Sequence, residues 1–280
     1  MRLRALLLIL VLLCAWGPGV ARAQTPSPLQ DWQYSGGIPL EKLFQPNLPK
    51  WQVILGVSGA TEPVYPGSKS YHPIGGPVFD IRYKDIAFFS TGEGIGVNLL
   101  RGKKYSLGVA LGIDLGRHVS DDYPKLHGLN DIGNSPVAQV FGSYVLSKRF
   151  PLVLRADLRR YMGGVGGITG DLEGYLPLPG SSQHLVMFLG PSITFADRSH
   201  LQNLFGITPS QSLESGLPAF SPHGGTNAWG IGFSATGIIS AHWLFNTQAA
   251  YSRLMGSAQQ SPITHSAAQG MLALSIEYRF

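Results

Sequence analysis

Five charged side chains spaced two apart carry the first candidate chemistry. Arg155, Asp157 and Arg159 share one face of an alternating segment, and Asp171 and Glu173 share one face of the next. Guanidinium and carboxylate groups facing each other across a strand pair can line a selective pore or lock into a salt-bridged plug. If the hairpin turns near Val165, Arg159 faces Asp171 across the pair. Asp80, Arg82, Asp114, Glu277 and Arg279 fall on the corresponding face of other alternating segments. A second group, His118, Asp121, Asp122, His127 and Asp131, offers imidazole and carboxylate ligands at spacings that could hold a cation. A solvated loop makes the same pattern, so no metal site is assigned. Catalytic signals are weak. No G-x-S-x-G motif occurs; of eight histidines, His184 and His242 fall near tight connections and the others in loops. Gly92-Glu-Gly-Ile-Gly96 lacks the lysine and following helix of a phosphate loop. No catalytic residue or cofactor is expected, and the chain reads as a non-enzyme.

These side chains need a scaffold, and the scaffold is written in period-two alternation. Tyr105, Leu107, Val109, Leu111, Ile113 and Leu115 lie on one face, and Ser106, Gly108, Ala110, Gly112 and Asp114 on the other. A helix cannot use such a pattern. Similar runs begin at Trp51, Pro77, Ile86, Ile95, Ala138, Leu152, Ile168, Leu185, Trp229 and Trp243. The last runs from Met271, with Leu272, Leu274, Ile276, Tyr278 and Phe280 outward and Ala273, Ser275, Glu277 and Arg279 inward. The expected fold is all-β: an antiparallel transmembrane barrel of about twelve strands. Ile276, Tyr278 and Phe280 are the expected closing and assembly signal, because a last strand must pair with the first to abolish the edge. Connection lengths point the same way. Those after even strands are short (84–85, 101–103, 147–150, 177–183, 240–241), and most of those after odd strands are long (60–75, 117–136, 196–227, 252–269). Such sorting belongs to barrels with tight periplasmic turns and longer outer loops. Aromatics near strand ends, including Trp51, Tyr83, Tyr105, Trp229, Trp243, Tyr251 and Tyr278, suit the membrane interfaces.

The other end predicts export. Arg2 and Arg4 precede an apolar run from Ala5 to Trp16, and Ala21-Arg22-Ala23 offers a small-x-small cleavage site. The run is too short to span a bilayer. The expected organisation is a signal peptide over 1–23, a periplasmic segment over 24–50, rich in Pro and Gln, and a barrel over 51–280. The single cysteine, Cys14, falls within the signal, so the mature chain has no thiol chemistry. Removing Arg2, Arg4 and Arg22 lowers 21 Lys+Arg to 18 against 16 Asp+Glu, so +5 becomes +2. With no basic stripe, nucleic acid is not an expected partner.

The loop over 196–227 carries its own structure. Thr208-Pro209-Ser210-Gln211 is a capping box, with a hydroxyl N-cap and Gln at the third helical position, and Gly216 is a natural stop. A two-turn helix is expected in an outer loop, as a constriction, a recognition surface or a self-protecting lid.

Several stretches also resemble one family. Gly92-Glu-Gly-Ile-Gly-Val-Asn-Leu-Leu100, Leu107 through Arg117, Leu129 through Pro136, Gly190 through Asp197, Phe205 through Ala219, Tyr251 through Gly256 and Ser261-Pro-Ile263 are similar, in order, to the MipA/OmpV family of outer-membrane proteins. The resemblance implies a scaffold that binds a murein-degrading lytic transglycosylase (a murein hydrolase) and helps join it to a peptidoglycan synthase. Other members are porin-like, adhesive or antibiotic-responsive. On that basis the chain is expected in the outer membrane, in contact with its lipid, docking murein-remodelling enzymes at the periplasmic face. Lys103, Lys104, Lys148 and Arg149, in two tight turns, are the docking candidates. A small-solute channel and an adhesin acting through the outer loops are the alternatives.

Overall fold

The structure is a computed structural model that describes residues 50–280 apart from positions 85, 148, 150 and 183. The expected signal peptide and the 24–50 segment up to residue 49 lie outside the described residues. Twelve strands form one sheet. The first four are β1 (Trp51–Pro63), β2 (Tyr71–Tyr83), β3 (Ala87–Ser90) and β4 (Gly94–Arg101). Next come β5 (Tyr105–Asp114), β6 (Ser135–Val145), β7 (Val153–Tyr161) and β8 (Ile168–Pro177). The last four are β9 (Leu185–Ala196), β10 (Gly225–Ile238), β11 (Trp243–Leu254) and β12 (Ala268–Arg279). All neighbours pair antiparallel, and β12 returns to β1, with Val57 opposite Ile276 and Ile54 opposite Arg279. The Phe280 N–H donates to the Val53 carbonyl at 3.0 Å and extends that seam by one bond.

The alternation fixes which side meets lipid. Leu111, Ile113, Leu158, Leu172, Leu274 and Ile276 are exposed on the outer wall, while their inward neighbours Ala110, Asp114, Asp157, Asp171, Ser275 and Glu277 are buried. Oily outside and polar inside is the reverse of a water-soluble domain and the normal state of a membrane barrel. Trp51 against Tyr83 and Trp243 against Tyr278 mark the end with short turns, and Trp229 against Tyr251 marks the end with long loops. No helix among the described residues is long and apolar enough to cross a membrane.

Two expectations shift in detail. β2 begins at Tyr71, earlier than the Pro77 start read from the sequence, because it pairs with β1 from Pro63 opposite Tyr71 onward and takes Pro73 and Pro77 into the strand. The hairpin between β7 and β8 turns one position before Val165: Arg159 faces Thr169, and Asp157 faces Asp171. Arg159 therefore meets Asp171 on the diagonal instead of directly across, within reach of a long side chain.

The outer loops form a lid. A 3-10 turn (Val119–Asp122) leads into α1 (Tyr123–Leu126); α2 (Arg198–Phe205) and α3 (Pro209–Ser215) fill the longest loop, and α4 (Gly256–Gln260) the last. Leu126, Leu201, Phe205, Ile207, Ala258 and Ile263 pack into a buried cluster that draws several loops together. The capping box forms as read: the Gln211 N–H donates to the Thr208 hydroxyl at 3.3 Å and the Thr208 N–H to Gln211 Oε1 at 2.9 Å. Gly216 closes α3 at φ 75°, a left-handed position that suits glycine.

Candidate functional site

The inward faces of β2, β6, β7 and β8 build a charged belt at the waist. Strand alternation aims Asp80 and Arg82 inward from β2, Arg155, Asp157 and Arg159 from β7, and Asp171 and Glu173 from β8; all seven are buried. Arg82 Nε sits 2.8 Å from an Asp80 oxygen, and its Nη2 donates to Glu93. Arg155 grips Asp157 with two bonds, Nε to Oδ2 and Nη2 to Oδ1, both at 2.8 Å. Gln139 donates to Asp157 Oδ1 at 2.6 Å. Arg159 Nη1 and the Thr194 hydroxyl each donate to Asp171 at 2.6 Å. Glu173 lies directly opposite Arg155 in the register. Arg155 and Arg82 also cap the rings of Phe141 and Phe88, at 4.9 and 5.2 Å. The forked, charge-assisted bonds and aromatic lids brace these side chains along and between neighbouring strands, and Glu93 links Arg82 of β2 to Arg155 of β7 across the lumen.

Glu93 was not among the residues singled out by sequence. It belongs to the three-residue connection between β3 and β4, and that hairpin is short enough to leave the carboxyl inside the barrel, between Arg82 and Arg155. The available signal was a charged residue flanked by Gly92 and Gly94 in a connection too short for an outer loop. The other inward charges stand apart from the belt. Glu277 accepts from the Ser275 hydroxyl at 2.6 Å, Arg279 donates to the Ala241 carbonyl at the short-turn rim, and Asp114 accepts from the Gly116 N–H at 2.7 Å. Toward the short-turn rim, Val145, Val153 and Tyr175 form a further buried apolar cluster beside Phe188.

Between belt and lid lies a chamber of about 710 Å³. Arg159, Asp171 and Asp114 line its lower part, and Tyr65, Leu204 and Phe205 its upper part. Tyr65 donates to the Ile263 carbonyl at 3.2 Å, and burial, reinforced by Asp122, pushes its phenol up to about 12. Arg117 is buried at the chamber wall, where its Nη1 donates to the Leu204 carbonyl at 2.8 Å. Burial lowers the proton affinity of its guanidinium, though an arginine stays charged. His200, on α2, lies with Nδ1 3.0 Å from the Gly166 carbonyl, and burial lowers its pKa.

Two of the five side chains weighed as cation ligands in the 117–136 loop hold backbone N–H groups, and His118 Nδ1 lies 3.7 Å from Asp131. Asp121 accepts from the His118 N–H at 2.9 Å, and Asp131 accepts from the Val119 N–H at 2.7 Å, which holds its carboxyl below the usual range. At the short-turn rim, Lys103, Lys104 and Arg149 are exposed, while Lys148 lies outside the described residues. The Val145 N–H donates to the Lys104 carbonyl at 2.7 Å, so the two turns that carry these cations sit side by side. Lys84 and Arg101, also exposed and linked by an Arg101 Nη1 bond to the Lys84 carbonyl, extend the patch to the next turn.

A closed antiparallel barrel of twelve strands, apolar on its outer wall and polar within, is an integral β-barrel of the bacterial outer membrane. The family described as MltA-interacting protein MipA matches residues 55–280, and the chain belongs to that family. No curated protein matches it. Among solved structures it is similar to the outer membrane protein OprD from Pseudomonas aeruginosa, with 10% identity over 81% of this chain and 65% of that one and a TM-score of 0.34. The chain thus spans about two thirds of OprD. It is also similar to the NanC porin (6% identity, 81% of this chain, 100% of that one, TM-score 0.43). A third is the translocator domain of the autotransporter NalP from Neisseria meningitidis (14% identity, 93% of this chain, 100% of that one, TM-score 0.38).

Proposed function

We propose that this barrel is a docking scaffold: it holds a murein hydrolase, and through it a peptidoglycan synthase, at the periplasmic face of the outer membrane. The observation that carries this reading is the filled waist. A lumen bridged by the buried Arg82, Glu93 and Arg155, and lined by further buried Arg–Asp pairs, suits a rigid platform better than a conduit. The family's name, MltA-interacting protein, supplies the class of partner. The exposed Lys103, Lys104 and Arg149 supply a cationic sector on the side where such a partner resides. In this role the chain binds and positions; the chemistry belongs to its partners.

The test is capture of a periplasmic lytic transglycosylase by the full-length chain in detergent. Reversing the rim (Lys103→Glu, Lys104→Glu, Lys148→Glu, Arg149→Glu) should weaken capture at least tenfold, and raised salt should weaken it too, because exposed charges are screened within ~8 Å at physiological ionic strength. Capture unchanged by both the reversal and deletion of residues 24–50 would remove the docking reading. The chamber beneath the lid favours a second reading, a small-solute channel, which requires steady unitary conductance in planar bilayers.

A further inference from the structure

The barrel wall has a gap on its outer half. β3 and β4 span 4 and 8 residues, against 13 for β1 and β2. β2 meets β3 only from Asp80 to Tyr83, and β5 meets β4 only up to Leu111. Above those points no described strand lies between Tyr71–Val78 of β2 and Gly112–Asp114 of β5. Two strands are missing there, so the banks stand three inter-strand spacings apart, about 14 Å.

The sequence is adapted to this open edge. The Phe79 N–H and C=O bond to Thr91 of the β3–β4 turn, so odd-numbered residues of β2 direct their backbone toward the gap. Pro73 and Pro77 are two of them, and each lacks the N–H that would otherwise stand unpaired. On the two banks Gly76 and Gly112 both face inward, and a Cβ built on either meets nothing within 4 Å. Depth places the gap in lipid. Tyr83 is in the lower aromatic band beside Trp51. At about 3.3 Å per residue and a tilt of about 40°, Val78 is about 13 Å and Tyr71 about 30 Å above it, against an apolar band of ~25 Å. The opening therefore faces the outer leaflet.

Inside the gap is the chamber, with His72 and Ile74 from one bank and Asp114, Leu115 and Gly116 from the other on its wall. Its charged groups are engaged, with one exception. Glu62 is 3.7 Å from His72, Asp114 and Asp121 hold backbone N–H groups, and Arg159 holds Asp171. Arg117, 6% exposed, donates to the Leu204 carbonyl and lies 6.0 Å from the Tyr65 ring; among the described residues its Nε has no partner, and the carboxylate whose charge acts on it, Asp131, is exposed and already holds the Val119 N–H. A buried cation that no salt bridge holds is costly, and an anion placed beside it offsets that cost. Below the gap, on the lipid side, Ile81, Phe89, Ile95, Val97 and Leu111 line an apolar groove of about 880 Å³.

We propose that the gap is a lateral portal: an amphiphile of the outer leaflet places its anionic headgroup, a carboxylate or phosphate, against Arg117 in the chamber, while its acyl chain stays in the portal and the apolar groove. This is independent of periplasmic docking. The test uses the full chain in phosphatidylcholine nanodiscs with a nitroxide-labelled stearate and its methyl ester, which lacks the negative charge and adds one methyl group. The acid should show an immobilised spectral fraction that the ester lacks. Arg117→Gln should weaken acid binding at least tenfold, and Arg117→Lys should retain part of it. Gly76→Trp and Gly112→Trp, placed where there is room, should abolish it with the barrel still folded by electrophoretic mobility. Equal immobilisation of acid and ester, or binding unaffected by Arg117→Gln, overturns the headgroup site. Butyrate that binds as tightly as stearate, with the tryptophan variants without effect, overturns the portal in favour of a water-borne anion.

Discussion

Replacing Arg155 with Met should destabilise the barrel by about 3–5 kcal/mol, the usual cost of removing one partner of a buried ion pair. The contacts account for that size. Arg155 makes two 2.8 Å bonds to Asp157, approaches Glu93 at 3.9 Å and covers the Phe141 ring at 4.9 Å. Each charge-assisted bond contributes about 1.5–3 kcal/mol. The loss also leaves Asp157 and Glu93, both buried, short of a cation in a medium that solvates charge poorly. Methionine keeps much of the volume, so the cavity term is small. Arg155→Lys keeps the charge but cannot form the fork, and should cost about 1.5–3 kcal/mol. Lys103→Met at the exposed rim should stay within about 0.5 kcal/mol of the parent. Guanidinium unfolding from phospholipid vesicles, followed by tryptophan emission and gel mobility, measures all three. If Arg155→Met falls within about 0.5 kcal/mol of the parent, the belt is not what braces the waist, and the filled-lumen argument for a scaffold falls with it.

Three further outcomes concern the lid. Phe205, 1% exposed at the centre of the loop cluster, should lose about 3–5 kcal/mol of lid stability on truncation to Ala, seen as faster hydrogen exchange over 198–224 with the barrel midpoint unchanged. Thr208→Ala removes the N-cap of α3 and should cost about 1 kcal/mol, read as fraying of residues 209–212, with Thr208→Ser preserving protection. His200 gives the lid a pH dependence of definite sign: its folded pKa lies below the ordinary value, so above about 6.5 both states are neutral and it contributes nothing, whereas on acidification the open state protonates first. Intrinsic-rate-corrected exchange over 198–205 should therefore rise as pH drops from 7.5 to 5.5, and His200→Gln should flatten that response.

The fold was legible because membrane strands must keep one face in lipid. Twelve alternating runs in the sequence correspond to twelve strands in the sheet, and the three long connections (115–134, 197–224 and 255–267) share one rim, although the 60–75 connection expected to be long shrinks to 64–70. The capping box was equally plain, since its chemistry is local. Boundaries and register were harder. The prolines of β2 argue against a paired strand, and only the missing neighbour makes Pro73 and Pro77 acceptable. The β7–β8 register depends on the path of a glycine-rich turn, Gly163 to Gly167, which alternation does not encode. α2 was missed because its N-cap, Asp197, sits among residues that also continue a strand pattern.

The site was half legible for a reason that links its two parts. Inward charges follow from period two, so Asp80, Arg82, Arg155, Asp157, Arg159, Asp171 and Glu173 could be placed on one face without coordinates. Which of them meet is set by the height at which each strand pair ends. The stretch from 86 to 99 holds two short alternating runs, and it becomes the shortest hairpin of the barrel. Because that hairpin stops at mid-wall, its turn can aim Glu93 between Arg82 and Arg155 and complete the belt. For the same reason the wall above it is open from β2 to β5, beside the chamber that holds Arg117. A hairpin as long as its neighbours would lift Glu93 out of the waist and close the gap together, so the seal of the lumen and its opening to lipid have one structural cause.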